Sequence, residues 1–553
     1  MEESVTTLEQ WRMWRRDGFS ALPLVRRVPL GPGENRPAEW SGAWQAAFPY
    51  AVIMESGKDG RYTYLGLRPA AVLRGKGDRA VELAADDPWT GTGAGTGGPP
   101  VRTGKPLDVV RSWIAGRRGP RVEDGPPFVG GIAGLWSYDI ARSIERLPER
   151  AADDLGLPDY VLLRLDELWI IDHETKELML SCVTVVPDVV SGDGLAHLHR
   201  EAADKTRRML VVWSSIAEAA ASPGALRRRE ARRAATEADR LEIDVENLDL
   251  IRPFSKASYM EAVEAVRRYI AQGDVFQVNL SQRMSKRTHV AAEDLYEWLR
   301  LFNPSPYMGV LRCPDFRLVS ASPELLVKSR NNRLATRPIA GTRRRGRTPE
   351  EDRRMAGELL TSGKERAEHV MLVDLERNDL GRVCACGTVR VPELMAIERY
   401  SHVMHLVSQV EGELAPGKDA FDVIAAMFPG GTITGAPKVR TMEILEELEP
   451  VHRGPYCGSL GWIDYGGDME FNILIRTMVI KDGVVHVQTG GGVVIDSDPE
   501  REYAETLNKA KALWKAVQYA EQEAAASAGR REPSAERREP SISAPGSGEG
   551  GRP

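Results

Sequence analysis

Four glutamates in two couples give this chain its clearest chemical pattern. Glu365 and Glu368 lie in the run 362–369, and Glu502 and Glu505 in the run 498–505. A spacing of three residues puts both carboxylates of a couple on one face of a helix. Two such faces turned toward each other make an oxygen-rich pocket suited to Mg2+, which takes few carboxylates together with substrate oxygens. Each couple also reads as a helix start, because Ser362 with Glu365 fits a capping box and acidic residues favour any first turn. Spacing alone leaves both readings open.

Three further segments carry candidate chemistry. The glycine-rich loop 428–438 leads into a predicted helix whose first turn suits Pro437, so it reads as an anion-facing helix start or as a plain tight turn. It lacks the Gly-Lys-Ser/Thr ending of a Walker A loop. The run Gln488-Thr489-Gly490-Gly491-Gly492 permits close approach of a ligand to the backbone, or marks a bulge. Arg476 sits in the apolar run Ile473-Leu474-Ile475-Arg476-Thr477-Met478, where a guanidinium needs a partner. A substrate carboxylate would serve by bidentate contact.

The elements that must position these groups are partly visible. Helical periodicity is clear in 258–272, 365–377, 438–448 and 502–518. Short β-branched runs such as 160–163, 168–171, 484–487 and 492–495 read as strands. Strands and helices do not alternate regularly, which predicts an α+β fold with antiparallel sheets. Three low-complexity stretches punctuate the chain. Residues 87–103 read as a Gly/Thr/Pro-rich surface loop, and 214–249 as an Ala/Arg/Glu-rich linker, partly helical. Residues 522–553, in which Arg-Arg-Glu-Pro-Ser occurs twice, read as a disordered tail. This divides the chain into an N-terminal region (1–213), the linker, a catalytic domain (250–521) and the tail.

A length of 553 residues supports a large core. With 28% charged and 42% hydrophobic residues the composition is that of a globular protein, and a formal charge of −6 argues against a nucleic-acid partner. No apolar run approaches the roughly 18 residues that span a bilayer, so no membrane is expected. The start of the chain has no basic segment followed by an apolar one, and five scattered cysteines suit a reducing compartment, so the expected location is the cytoplasm. Cys384 and Cys386 lack a second ligand pair and read as strand residues.

From about residue 254 to 517 the chain resembles the chorismate-binding enzymes, a family that includes anthranilate, aminodeoxychorismate, isochorismate and salicylate synthases. The resemblance rests on Gly273-Asp274-Val275-Phe276-Gln277-Val278-Asn279-Leu280-Ser281, Asn303-Pro304-Ser305-Pro306-Tyr307-Met308 and Ser322-Pro323-Glu324. It extends through Arg337-Pro338-Ile339-Ala340-Gly341-Thr342, 364–379 and 429–438, and more weakly through Gly60-Arg61-Tyr62-Thr63-Tyr64 and Ser137-Tyr138-Asp139. It implies two antiparallel sheets packed together and surrounded by helices. It also implies Mg2+ held by Glu368 and Glu505 with Glu365 and Glu502 close behind, and Lys509 near the ring carboxylate of chorismate. Tyr456 and Arg476 are implied to hold the pyruvyl carboxylate, with Gly341, Thr342, Gly490, Gly491 and Gly492 lining the pocket. Glu324 matches the acid that assists departure of the C4 hydroxyl, and such a group must stay protonated near neutral pH. His405 matches a histidine near the ring, whereas His402 also reads as a core histidine.

Gln277 stands where water-adding relatives carry a lysine base, which implies an ammonia-using enzyme fed by a separate glutaminase subunit. Asn279, Gly431 and Gly492 look like the aminodeoxychorismate branch. Ala340 is the residue of the anthranilate branch, and it removes the lysine that many aminodeoxychorismate synthases use for covalent attack. Met54-Glu55-Ser56 resembles the tryptophan-binding motif of feedback-inhibited relatives, and with Pro306, Tyr307 and Met308 it forms a candidate tryptophan site. The expectation is chorismate amination at C4. Anthranilate formation is the alternative, and an inactive chorismate- or tryptophan-binding regulator the remote one.

Overall fold

The computed structural model describes residues 6–57, 60–84, 99–239, 241–399 and 403–529. His402, residues 87–98 of the predicted loop and the tail beyond 529 lie outside the described residues. Two large sheets dominate, and every ladder pairing in them is antiparallel, as the sequence predicts. The first has 11 strands and the second 12 among the described residues, with helices around them.

Both sheets run across the expected division of the chain. Strand Ala51–Glu55 pairs with Tyr307–Arg312, with Glu55 opposite Met308, and Gly131–Trp136 pairs with Ser459–Asp464. The expected linker is also ordered differently. Residue 214 falls inside the helix Gly192–Ala221, and a second helix, Pro223–Ala238, follows it. That helix buries Ala225 and Arg232, and Arg232 pairs with Asp294 at 3.0 Å and Glu523 at 2.9 Å. The first residues of the expected tail continue the helix Pro499–Gly529, where Glu523 also accepts from Trp298 Nε1 at 2.9 Å. Cys384 forms only an isolated bridge to Leu414, and Cys386 lies in a turn, so neither is in a regular strand.

Three elements set up the site. Strand Gln277–Arg287 is buried on both faces over most of its length. Val278, Leu280 and Met284 alternate into the main core, which leaves Gln277, Asn279 and Ser281 on the other face. Helix Gly363–Gly381 starts at Ser362, whose hydroxyl accepts from the Glu365 N–H at 3.3 Å. It turns His369, Leu372, Val373, Glu376 and Leu380 inward against strands Val403–Glu413 and Ile339–Arg344. Helix Pro499–Gly529 buries Tyr503, Leu507, Ala510, Trp514 and Val517 at helical spacing against strand Val484–Val493. Removing a fully buried ring such as Trp514 costs about 3–5 kcal/mol.

Candidate active site

The glycine run forms the end of strand Val484–Val493, paired with strand Gln277–Arg287 so that Asn279 faces Gly492 and Ser281 faces Gly490. A side chain at Gly490 would come within 2.8 Å of both Asn279 Oδ1 and Tyr456 Oη, and one at Gly492 would run into Gln277 Nε2. A side chain at Gly491 would point the other way, 3.3 Å from Glu502 and 3.7 Å from Glu505. Three glycines thus leave only backbone between two sets of polar groups. Lys509 Nζ reaches across to the Gly490 carbonyl at 2.9 Å.

Glu324 precedes strand Leu325–Arg330 and is 6% exposed. Burial pushes its carboxyl up to about 7, against the Thr432 hydroxyl, the Lys509 charge and the Ile339 backbone, which pull it down. A carboxyl so placed keeps a proton near neutrality and can act as an acid. The nearby Thr432 hydroxyl closes no hydrogen bond, and Glu324 Oε1 has none in the protein either.

Arg476 follows strand Met469–Asn472 in a left-handed backbone conformation (φ 53°), not inside a strand as its apolar run implied. It makes no ion pair with a carboxylate among the described residues, and burial lowers its pKa while Tyr456 and Glu505 raise it. A desolvated guanidinium in this state favours an incoming carboxylate. Tyr456 is 7% exposed, and burial holds its phenol well above the ordinary range. His405 shares a 2.9 Å hydrogen bond with Thr342, and burial and then Arg476 lower its pKa, so a neutral ring faces the site. Gly341 is the extra residue of a bulge beside Thr342. Its φ is 57°, and a Cβ there would meet a Glu365 carboxylate oxygen at 2.7 Å.

The structure brings the two glutamate couples into one neighbourhood. Burial raises the Glu368 pKa, and Glu365, Glu505 and Glu502 add like-charge repulsion that Lys364 opposes. Glu502 is raised by burial and by Glu505. Such an all-oxygen donor set fits a hard cation. Three of its four members are engaged elsewhere as they stand: Glu365 with Arg343 at 3.0 Å, Glu502 with Ser497 at 2.7 Å and Glu505 with Lys509 at 2.8 Å. Among the described residues no group of three or more acidic, His or Cys side chains is arranged so as to hold a metal ion. Ser362 caps the helix through the Glu365 N–H, while the Glu365 side chain turns to Arg343, so only half of the predicted capping box forms.

Glu55, Ser56, Pro306, Tyr307 and Met308 come together at a separate cavity of about 570 Å3. The Glu55 carboxylate is already occupied by Arg300 at 2.8 Å, Tyr296 at 2.8 Å and Trp40 at 3.1 Å.

Sequence reasoning missed Arg453 and Thr432. Arg453 is buried, pairs with Glu449 at 2.7 Å, donates to the Ile433 carbonyl, and lies over the Tyr138 and Tyr456 rings. It locks Tyr456 against the strand that carries Asn279. The i,i+4 spacing of Glu449 and Arg453 was the available signal. Thr432 lay within the glycine loop but was not singled out; its carbonyl accepts from Asn279 Nδ2 at 3.2 Å.

Comparison with known proteins points to one family. Residues 50–515 match the family described as chorismate binding enzyme. The aminodeoxychorismate synthase component 1 of Bacillus subtilis is 45% identical over 473 residues, covering 85% of this chain and 92% of that relative. The anthranilate synthase component 1 of Thermus thermophilus is 44% identical over 475 residues, covering 86% and 93%. Among solved structures, anthranilate synthase component I of Streptococcus pneumoniae superposes with a TM-score of 0.66 at 31% identity, covering 82% of this chain and 92% of that one. The menaquinone-specific isochorismate synthase of Escherichia coli, at 18% identity, has a TM-score of 0.58 and covers 92% and 98%, a likeness of fold.

Proposed function

The chain belongs to the chorismate-binding enzymes, and within that family we propose that it aminates chorismate at C4 as component 1 of an aminodeoxychorismate synthase. Ammonia comes from a separate glutaminase subunit, in keeping with the component 1 names of its relatives. The observation that carries the amination reading is a proton-bearing Glu324 set near Thr432, whose carbonyl accepts from the Asn279 amide two residues along the strand from Gln277.

In this reading Arg476 and Tyr456 hold one carboxylate of the substrate, and Lys509 approaches the other. Mg2+, held by Glu368 and Glu505 with Glu365 and Glu502 behind, supplies charge stabilisation at the ring carboxylate when bound. Glu324 gives its proton to the departing C4 hydroxyl, which leaves as water. Ammonia forms the new C–N bond as the C4–O bond breaks, and its surplus proton passes to the Glu324 carboxylate, which restores the acid and leaves a neutral amine. His405 and Thr342 hold each other against the ring side of the pocket. The cavity beside Ser56 and Tyr307 fits an amino-acid effector such as tryptophan, and five free cysteines are in keeping with a cytosolic setting.

Ala340 favours a second reading, anthranilate formation. The side chain is an alanine methyl, 9% exposed, and offers no nucleophile for a covalent route to the C4 amine. Consumption of chorismate by the full chain with ammonium and Mg2+ tests the shared part of both readings. Turnover that requires ammonium supports them; chorismate binding without turnover identifies an inactive regulator instead.

A further inference from the structure

The segment Ser137-Tyr138-Asp139 belongs to the N-terminal half of the chain, yet it is tied to the turn that carries Tyr456. The ladder between strands Gly131–Trp136 and Ser459–Asp464 ends where Trp136 faces Ser459. Beyond that end the two segments stay joined at Gly454. Tyr138 N–H donates to the Gly454 carbonyl at 2.8 Å, and Gly454 N–H donates back to Asp139 Oδ2 at 3.0 Å. Both backbone polar groups of one residue are thus held by two consecutive residues remote in sequence. Gly454 has a left-handed backbone (φ 55°), so it turns the chain in a conformation that residues with a Cβ rarely adopt.

Tyr456 lies two residues further on, and its N–H donates to the Arg453 carbonyl at 3.1 Å within the same turn. The Arg453 guanidinium lies 4.9 Å from the Tyr138 ring centroid and 5.6 Å from that of Tyr456, so one cation is set against both rings. A residue held at both its N–H and its carbonyl cannot shift without breaking a hydrogen bond, and one of these is charge-assisted. Asp139 is buried, and its other oxygen, Oδ1, lies 3.5 Å from His452 Nδ1 and 3.5 Å from Arg142 Nε. One oxygen therefore holds the turn while the other is kept in place by Arg142 and His452.

We propose that Asp139 is a positioning residue for chorismate binding, which acts through Gly454 to hold the Tyr456 phenol where the substrate carboxylate arrives. The proposal rests on the reading above in which Tyr456 and Arg476 hold that carboxylate. Asp139 touches neither substrate nor metal in this scheme, and no proton moves through it. It gives the N-terminal half of the chain a part in a pocket whose other named residues all lie from Gln277 onward.

The test is a double-mutant cycle read as the Kd of chorismate, measured by calorimetry on the full chain with Mg2+ and without ammonium. Asp139→Ala should weaken binding about tenfold, the scale of one lost charge-assisted hydrogen bond. Asp139→Asn keeps an oxygen that accepts from Gly454 and should recover most of that loss. In a Tyr456→Phe background, Asp139→Ala should weaken binding by less than about twofold, because the hydroxyl it aims is already gone. An unchanged Kd in Asp139→Ala overturns the proposal. The same factor lost with and without the Tyr456 hydroxyl also overturns it, and marks a purely structural carboxylate. If Asp139→Ala is insoluble, Asp139→Glu, whose longer side chain displaces Gly454, replaces it in the same cycle with the same outcomes. Tyr456→Phe with wild-type affinity overturns the carboxylate reading of Tyr456, and the proposal with it. A loss in Tyr456→Phe that Asp139→Ala does not share overturns the proposal alone.

Discussion

Lys509 Nζ lies 2.8 Å from Glu505 Oε1 while also donating to the Gly490 carbonyl, so one cation ties the second glutamate couple to the glycine strand. In the proposed reading the lysine neutralises a carboxylate that would hold Mg2+ and stands beside the carboxylate of the substrate. In the proposed reading Mg2+ would compete with Lys509 for Glu505, which would couple ion and substrate to the same side chain.

Replacing Glu368 or Glu505 with glutamine should raise the Mg2+ concentration for half-maximal activity at least about tenfold, the smaller loss seen even for outer partners of a metal site. A titration of activity against Mg2+ checks this. An unchanged midpoint would show that these carboxylates serve their helices and not an ion.

Glu324→Gln should lower kcat by about 10²–10⁴-fold with little change in the KM for chorismate. The pH profile gives the sign. The carboxyl is raised to about 7, so its proton is present below that pH and lost above it. In the wild type, kcat measured at constant free ammonia should fall as pH rises through about 7, and Glu324→Gln should lose that limb. A loss confined to KM would remove the acid role.

Arg476→Gln should raise the KM for chorismate about 30-fold or more, the lower end of what removing one partner of a desolvated charge pair costs. Direct binding of chorismate in the absence of ammonium separates this from any effect on chemistry. Normal affinity in the variant would place the substrate carboxylate elsewhere.

Gly341→Ala should destabilise the protein by about 1–2 kcal/mol, because a left-handed residue with a Cβ is strained whatever the surrounding space. The added methyl also meets the Glu365 carboxylate, so the Mg2+ midpoint should move together with stability in chemical unfolding. Stability lost without any change in metal dependence would separate Gly341 from the glutamate couple.

Part of this candidate site was legible in the sequence as local spacing, while the roles expected of its residues came from the family resemblance. The i,i+3 glutamates, the glycine run and the helices at 365–377 and 502–518 are one-dimensional patterns that the fold preserves. What could not be read depends on distant partners. Residues 214–249 lack an apolar stripe, yet their second helix is held by Arg232, whose partners Asp294 and Glu523 are remote in sequence. The same holds for Arg453, which links Glu449, Ile433 and Tyr456 only once the sheets are assembled. The glutamate couples were legible as neighbours of a helix start, whereas their present engagement with Arg343, Ser497 and Lys509 was not. Position 340 could be read as an alanine, but a sequence does not say which atom receives the nitrogen.

That question is decided by the identity of the product. The full chain, incubated with chorismate, ammonium and Mg2+, should form 4-amino-4-deoxychorismate, which a lyase then converts to 4-aminobenzoate, with no pyruvate released before the lyase is added. Fluorescent anthranilate released with pyruvate in the absence of any lyase would contradict amination at C4.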